Sequence, residues 1–159
     1  MNDSFILRDR KWREQNERVT LSSYAAFSGD SLGRIKEEPI DLFRTCFERD
    51  RDRIIHSKTF RRLKHKTQVF INPDGDHFIT RMTHTLNVTQ IGRSIAKTLG
   101  FNADLTEAIC LGHDVGHSPF GHTGEEVLNE MLDGGWSHSE NSVRMLSIIE
   151  PLNLTKETI

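Results

Sequence analysis

An all-α fold is predicted for this chain, and three observations predict it. Apolar residues recur at three- and four-residue spacing through much of its 159 residues. Capping signatures and glycines punctuate those runs at helix-length intervals. Only one place reads as strand, a small β-hairpin near 68–80, where Gln68-Val69-Phe70-Ile71 and His77-Phe78-Ile79-Thr80 flank the turn-forming Asn72-Pro73-Asp74-Gly75-Asp76. Hydrophobic content of 35% and charged content of 28% suit one polar-surfaced domain with a real core. No run approaches the roughly 18–20 apolar residues of a spanning helix, so no membrane role is expected. Met1-Asn2-Asp3-Ser4-Phe5 shows no basic region leading into an apolar one, so no secretory signal is expected. Cys46 and Cys110 lie far apart and form no CxxC pattern; they are expected as buried free thiols of a cytoplasmic protein.

The elements follow in order. Residues 1–40 read as an N-terminal arm, with a short helix near Arg8–Val19 and Ser/Gly-rich stretches after it, expected to lean on a partner surface or another subunit. The domain proper is 41–159. Pro39 suits a helix start, and Phe43, Phe47, Ile54, Ile55, Phe60 and Leu63 predict a helix over about 41–64, with a break expected at Asp50–Asp52. After the hairpin, Thr80 or a neighbour caps a helix whose apolar stripe is Met82, Leu86, Ile91, Ile95 and Leu99, ended by Gly100. Asn102 caps a helix through Leu105, Ala108, Ile109 and Leu111 to Gly112. Thr123-Gly124-Glu125-Glu126 has capping-box spacing and is expected to open a helix through Met131 and Leu132, stopped by Gly134-Gly135. Ser137-His138-Ser139-Glu140 repeats that spacing and opens a last helix that must end near Pro151. The final Leu154–Ile159 reads as the start of another element, so the chain is expected to be part of a larger protein.

Net charge is −2, but Arg44–Lys66 carries nine basic residues against three acids. Such a block suits a phosphate-rich ligand or nucleic acid. A solvated helix laced with i,i+3 and i,i+4 ion pairs explains it equally well.

Chemistry concentrates in His113-Asp114-Val115-Gly116-His117-Ser118-Pro119-Phe120-Gly121-His122-Thr123-Gly124-Glu125-Glu126. Imidazole and carboxylate are standard ligands of divalent ions. His113 and Asp114 end a helix, where the dipole favours a cation. Antiparallel packing of the preceding helix would bring His84 alongside them as a third ligand. One such residue alone would be read as structural; the three together favour a metal.

At these residues the chain resembles the HD-domain phosphohydrolases, through His84 and His113-Asp114. More narrowly it is similar to the deoxyguanosine triphosphate triphosphohydrolase-like family of bacterial dNTP triphosphohydrolases. The resemblance runs through Arg49–Ser57, Phe60–Phe70, Arg81–Thr85 and His113–Glu125. It implies a partial HD-domain helical bundle and metal-dependent hydrolysis of a dNTP to deoxynucleoside and inorganic triphosphate. It implies His84, His113 and Asp114 as ligands of a divalent metal (Mg, Mn or another transition metal), and His122 with Glu125 as catalytic residues. Arg81, His117 and His138 are implied at the substrate phosphates. The family pattern has a fourth metal ligand, an aspartate further downstream, with no counterpart in this chain. By the same resemblance a homo-oligomer is expected, with single-stranded DNA or an allosteric dNTP as further partners. Two other functions fit the residues: another HD-type nucleotide phosphatase or phosphodiesterase, or a non-catalytic nucleotide- or nucleic-acid-binding module using the 44–66 block.

Overall fold

The structure, a computed structural model, describes residues 7–66 and 79–159. Seven α-helices appear among them: α1 (Arg10–Thr20), α2 (Cys46–His56), α3 (Lys58–Arg61), α4 (Arg81–Leu99), α5 (Ala103–Gly112), α6 (Gly121–Met131) and α7 (His138–Arg144). A 3₁₀ turn at Arg62–His65 extends α3, and a π turn at Met145–Ile149 extends α7. No hairpin is seen. The described residues hold a single isolated antiparallel bridge, Arg34 to Thr155, and no sheet. Most of the expected hairpin lies outside the described residues. Its last residue, Thr80, serves instead as the N-cap of α4, its side chain accepting from the Thr83 amide at 3.4 Å.

Several local signals act as expected. Gly100 ends α4 at φ 70°, and the Asn102 side chain caps α5 by accepting from the Asp104 and Leu105 amides, both at 3.1 Å. Ser137 caps α7 through the Glu140 amide. Others do not. Pro39 starts no helix; α2 begins at Cys46, where Thr45 and Glu48 form a reciprocal capping box that removes two orphan donors. The helix does not break at Asp50–Asp52 but at Ser57, whose hydroxyl caps α3 through the Phe60 amide at 3.0 Å.

Helix α5 packs between α2 and α4. The core gathers Ile54, Phe60, Leu63, Ala108, Leu111, Val115, Leu146 and Leu154. The inner face of α4 is not the expected apolar stripe. Arg81, Thr85, Thr89 and Ala96 are buried there, while Leu86, Ile91, Ile95 and Leu99 are exposed. Beyond Arg81 the buried residues are small or β-branched, and α4 approaches α5 closely at Gly92, where a Cβ would lie 2.8 Å from Cys110 Sγ.

The described part of the 1–40 segment is bound to the domain. Arg13 pairs with Glu48, the Ser22 amide donates to the Gly100 carbonyl at 2.7 Å, and Asn102 donates to Glu17 and to the Ala26 carbonyl, both at 3.1 Å. The strongest tie is Asp50 on α2, which is fully buried. Its carboxylate accepts from Arg34, from the Thr155 amide and hydroxyl (2.8 and 2.6 Å), and from the Thr158 hydroxyl (2.8 Å). Asp50→Ala would leave the nearly buried Arg34 charge with only backbone carbonyls as partners and take the acceptor from the Thr155 amide. The expected loss is about 3–5 kcal/mol of unfolding free energy in urea titrations, the usual result of removing one partner of a buried pair.

Candidate metal and phosphate site

Packing of α4 against α5 places the start of one helix beside the end of the other. His84 and His113 lie with ring centroids 5.8 Å apart, and donor atoms of His84, His113 and Asp114 all fall within 4.8 Å of one another. Nδ1 of His113 sits 2.7 Å from the Cys110 carbonyl, so it carries the proton and Nε2 is the free donor. Asp114 Oδ2 accepts from Arg81 at 2.9 Å, leaving Oδ1 on the His113 side, 3.8 Å from its Nε2. Burial pushes the Asp114 carboxyl up, but His113 and the Arg81 guanidinium more than reverse this and hold it below the ordinary carboxylate range. An ionised carboxylate with two imidazoles is a donor set that fits a divalent ion.

A second group adjoins the first along the same turn. His117, His122, Glu125 and His138 also bring donor atoms within 4.8 Å of one another. His117 stacks on His138 with centroids 4.6 Å apart and planes tilted by 14°, and His122 meets both edge-on. Glu125 accepts from His122 Nδ1 at 3.2 Å, and from the backbone amide and Nδ1 of His138, each at 2.9 Å. Burial pushes Glu125 up, but the His138 backbone and ring bonds outweigh it and hold the carboxyl at about 2. An ionised carboxylate only accepts, so Nδ1 of both His122 and His138 must carry the proton and Nε2 is left open on each ring. The nearly parallel rings of His117 and His138 aim their in-plane lone pairs along separate lines. This arrangement suits proton transfer and anion contact better than a second metal.

His117 is 3% exposed, with neither ring nitrogen hydrogen-bonded among the described residues. Burial, assisted by the neighbouring Arg81 charge, pushes its pKa down to about 4. Arg81 itself is 1% exposed and pairs with Asp114, so it stands beneath the metal group and supports a ligand.

The turn that carries these side chains is built by close approach. A Cβ on Gly116 would lie 2.2 Å from the Ser142 amide nitrogen and 2.4 Å from the Asn141 carbonyl carbon; one on Gly124 would lie 2.0 Å from the Pro119 carbonyl oxygen. Helix α6 starts at Gly121, not at a Thr123 capping box. The chain turns earlier, through Phe120 at φ 67°, so Thr123 and Glu126 lie within the helix and form no cap. Asn141, Ser142 and Lys66 also hold this turn, and no local pattern singles them out: Asn141–Ser142 look like ordinary helix residues, and Lys66 sits inside the basic block.

Four of the nine basic residues of that block are already ion-paired. Arg44 pairs with Asp41 and Asp52, Arg49 and Arg53 with Glu38, and Arg51 with Asp52 and Asp104. The 44–53 part of the block is therefore ion-paired helix surface, not a free phosphate patch. Among the described residues no helix is long and apolar enough to cross a membrane, and both cysteines are free thiols.

Residues 81–159 match the HD domain family, and the chain belongs to it. Within that class it is similar to proteins named deoxyguanosinetriphosphate triphosphohydrolase-like. It is 60% identical over 152 residues to one from Caldanaerobacter subterraneus subsp. tengcongensis (93% of this chain, 45% of the relative). To those of Clostridium tetani and Desulfatibacillum aliphaticivorans it is 56% and 52% identical, covering 94% and 92% of this chain and 44% and 43% of the relatives. The chain spans less than half the length of these relatives.

The depressed pKa of His117 has a consequence for stability. The folded state favours its neutral ring, so its contribution is complete above the unfolded value near 6.5 and is lost as pH falls toward about 4. Glu125 acts lower, complete above about 4.5 and lost toward about 2. Urea midpoints of the metal-free protein are expected to fall from pH 6.5 to 4, and to fall less steeply in His117→Gln, which cannot take the extra proton.

Proposed function

We propose that this protein, in its full-length form, is an HD-type phosphohydrolase that cleaves deoxynucleoside triphosphates, dGTP-like substrates among them, to deoxynucleoside and inorganic triphosphate. The observation that supports this most directly is the pairing of two groups on one turn: a two-histidine, one-carboxylate metal group and, beside it, a histidine cluster oriented by an ionised Glu125. The names of the relatives point the same way.

His84, His113 and Asp114 would hold a divalent metal, which when bound neutralises phosphate charge and lowers the pKa of a coordinated water. Asp114 is kept ionised for that task by Arg81. His122 is largely exposed, so its Nε2 can meet substrate. There that nitrogen accepts a proton from the water whose oxygen bonds to the α-phosphorus as the bond from that phosphorus to the deoxyribose 5′ oxygen breaks, and the departing oxygen takes its proton from solvent. Glu125 orients the ring by accepting from Nδ1. His138 and His117 line the phosphate side. Because His117 is neutral, it offers one N–H donor to a phosphate oxygen without the cost of a buried charge.

Full-length protein incubated with dGTP and Mn²⁺ or Mg²⁺ is expected to release inorganic triphosphate. Release of pyrophosphate or single phosphates would reject this reaction in favour of another HD-type nucleotide phosphatase. His122→Ala should lower kcat by roughly 10²–10⁴-fold, the usual contribution of a positioned acid or base. His113→Ala should instead weaken Mn²⁺ binding in calorimetry. Unchanged turnover in His122→Ala would remove that residue from the chemistry.

A further inference from the structure

Lys66 closes the basic block in sequence, yet it faces inward. Its ammonium donates to the Val115 carbonyl at 3.2 Å and to the His117 carbonyl at 2.8 Å. Its own carbonyl accepts from the Arg81 amide at 3.0 Å. One residue thus holds both the first turn of α4, which carries Arg81 and His84, and the turn that carries Asp114 and His117.

Every backbone carbonyl from Gly112 to His117 is engaged. The Gly112 carbonyl accepts from the Val115 amide (3.4 Å) and the Asp114 carbonyl from the His117 amide (3.1 Å). The His113 carbonyl accepts from the Ser142 hydroxyl (2.8 Å) and the Gly116 carbonyl from the Asn141 side chain (2.7 Å). The remaining two, Val115 and His117, depend on Lys66. Of these donors Lys66 alone is charged, and bonds from a charged donor are roughly twice as strong as neutral ones. Placing it there has a cost. Burial and the nearby Arg62 and Arg81 charges all weigh against an ammonium and push its pKa down. A neutral amide or hydroxyl would satisfy a carbonyl without that cost, so the charge itself calls for a reason beyond hydrogen-bond satisfaction.

We propose that Lys66 is a positioning residue of this site: its ammonium clamps the 115–117 backbone so that the His117 ring stays against His122 and His138 while Asp114 stays beside His113. The proposal rests on the triphosphohydrolase reading for its kinetic test, but not for its structural one.

The test compares Lys66→Met, Lys66→Arg and Lys64→Met in the full-length protein; Lys64 is exposed and belongs to the same block. The first readout is the rate of triphosphate release from dGTP with Mn²⁺, alongside the thermal midpoint. Lys66→Met is expected to lose on the order of 10–100-fold in kcat, as misplacement of a site by about an ångström does. Lys66→Arg should recover most of that loss, and Lys64→Met should match the parent. The second readout is the ring spectrum of histidine-selective ¹⁵N-labelled, metal-free protein. There Lys66→Met should move the His117 signals, and Lys66→Arg should largely restore them. Should Lys66→Met fail to fold, Lys66→Gln, a neutral donor, takes its place in both readouts. The proposal is overturned if Lys66→Met turns over like the parent, if Lys66→Arg is as impaired as Lys66→Met, or if the His117 signals stay in place. If the parent itself releases no triphosphate, the functional reading fails and the histidine spectra alone decide the role of Lys66.

Discussion

The buried pair of Arg81 and Asp114 is the constraint on which the site depends. Both residues are almost wholly removed from solvent, and they join the first turn of α4 to the residue just past α5. A buried ion pair repays its desolvation only when its geometry is good and its other polar atoms are satisfied. Here the geometry serves a further end. One carboxylate oxygen is taken by Arg81, the other is left toward His113, and His84 follows Arg81 by one helical turn. The pair therefore sets the spacing between two helices and selects which oxygen faces the metal group.

Around that pair, backbone polarity is met by side chains from elements distant in sequence. Lys66 reaches in from before α4, while Asn141 and Ser142 reach in from α7. The turn's own amides meet only the Gly112 and Asp114 carbonyls, and the other carbonyls draw donors from outside it. Gly116 permits the approach, since any side chain there would collide with the α7 backbone. The result is a loop that carries chemistry on a frame of helices, the usual division between variable function and rigid scaffold.

Helix termini were the most legible part of the fold. Thr80, Gly100, Asn102 and Ser137 act locally, through bonds to residues two to four positions away, so spacing alone identifies them. Thr45-x-x-Glu48 was equally local, but Pro39 drew the helix start away from it. The inner face of α4 was not legible. Periodicity marks where large apolar residues recur, whereas the α4–α5 contact demands small ones, and that demand arises from a neighbour and not from the helix itself. The basic block shows the same limit. Composition counts its charges, but the pairing of Arg49, Arg51 and Arg53 draws on Glu38 and Asp104, which only folding brings near.

By itself the sequence determined most of the helices, the caps at Thr80, Gly100, Asn102 and Ser137, and a cluster of residue types suited to a metal or to proton transfer, because propensity, capping and ligand chemistry are properties of short segments. The tertiary structure alone decided that Arg81 supports Asp114, that His138 shares Glu125 with His122, and that Lys66 turns inward. The physical reason is that hydrogen bonding and desolvation depend on distance in space. Lys66 lies 49 positions from Val115 in sequence, yet 3.2 Å from its carbonyl in the fold.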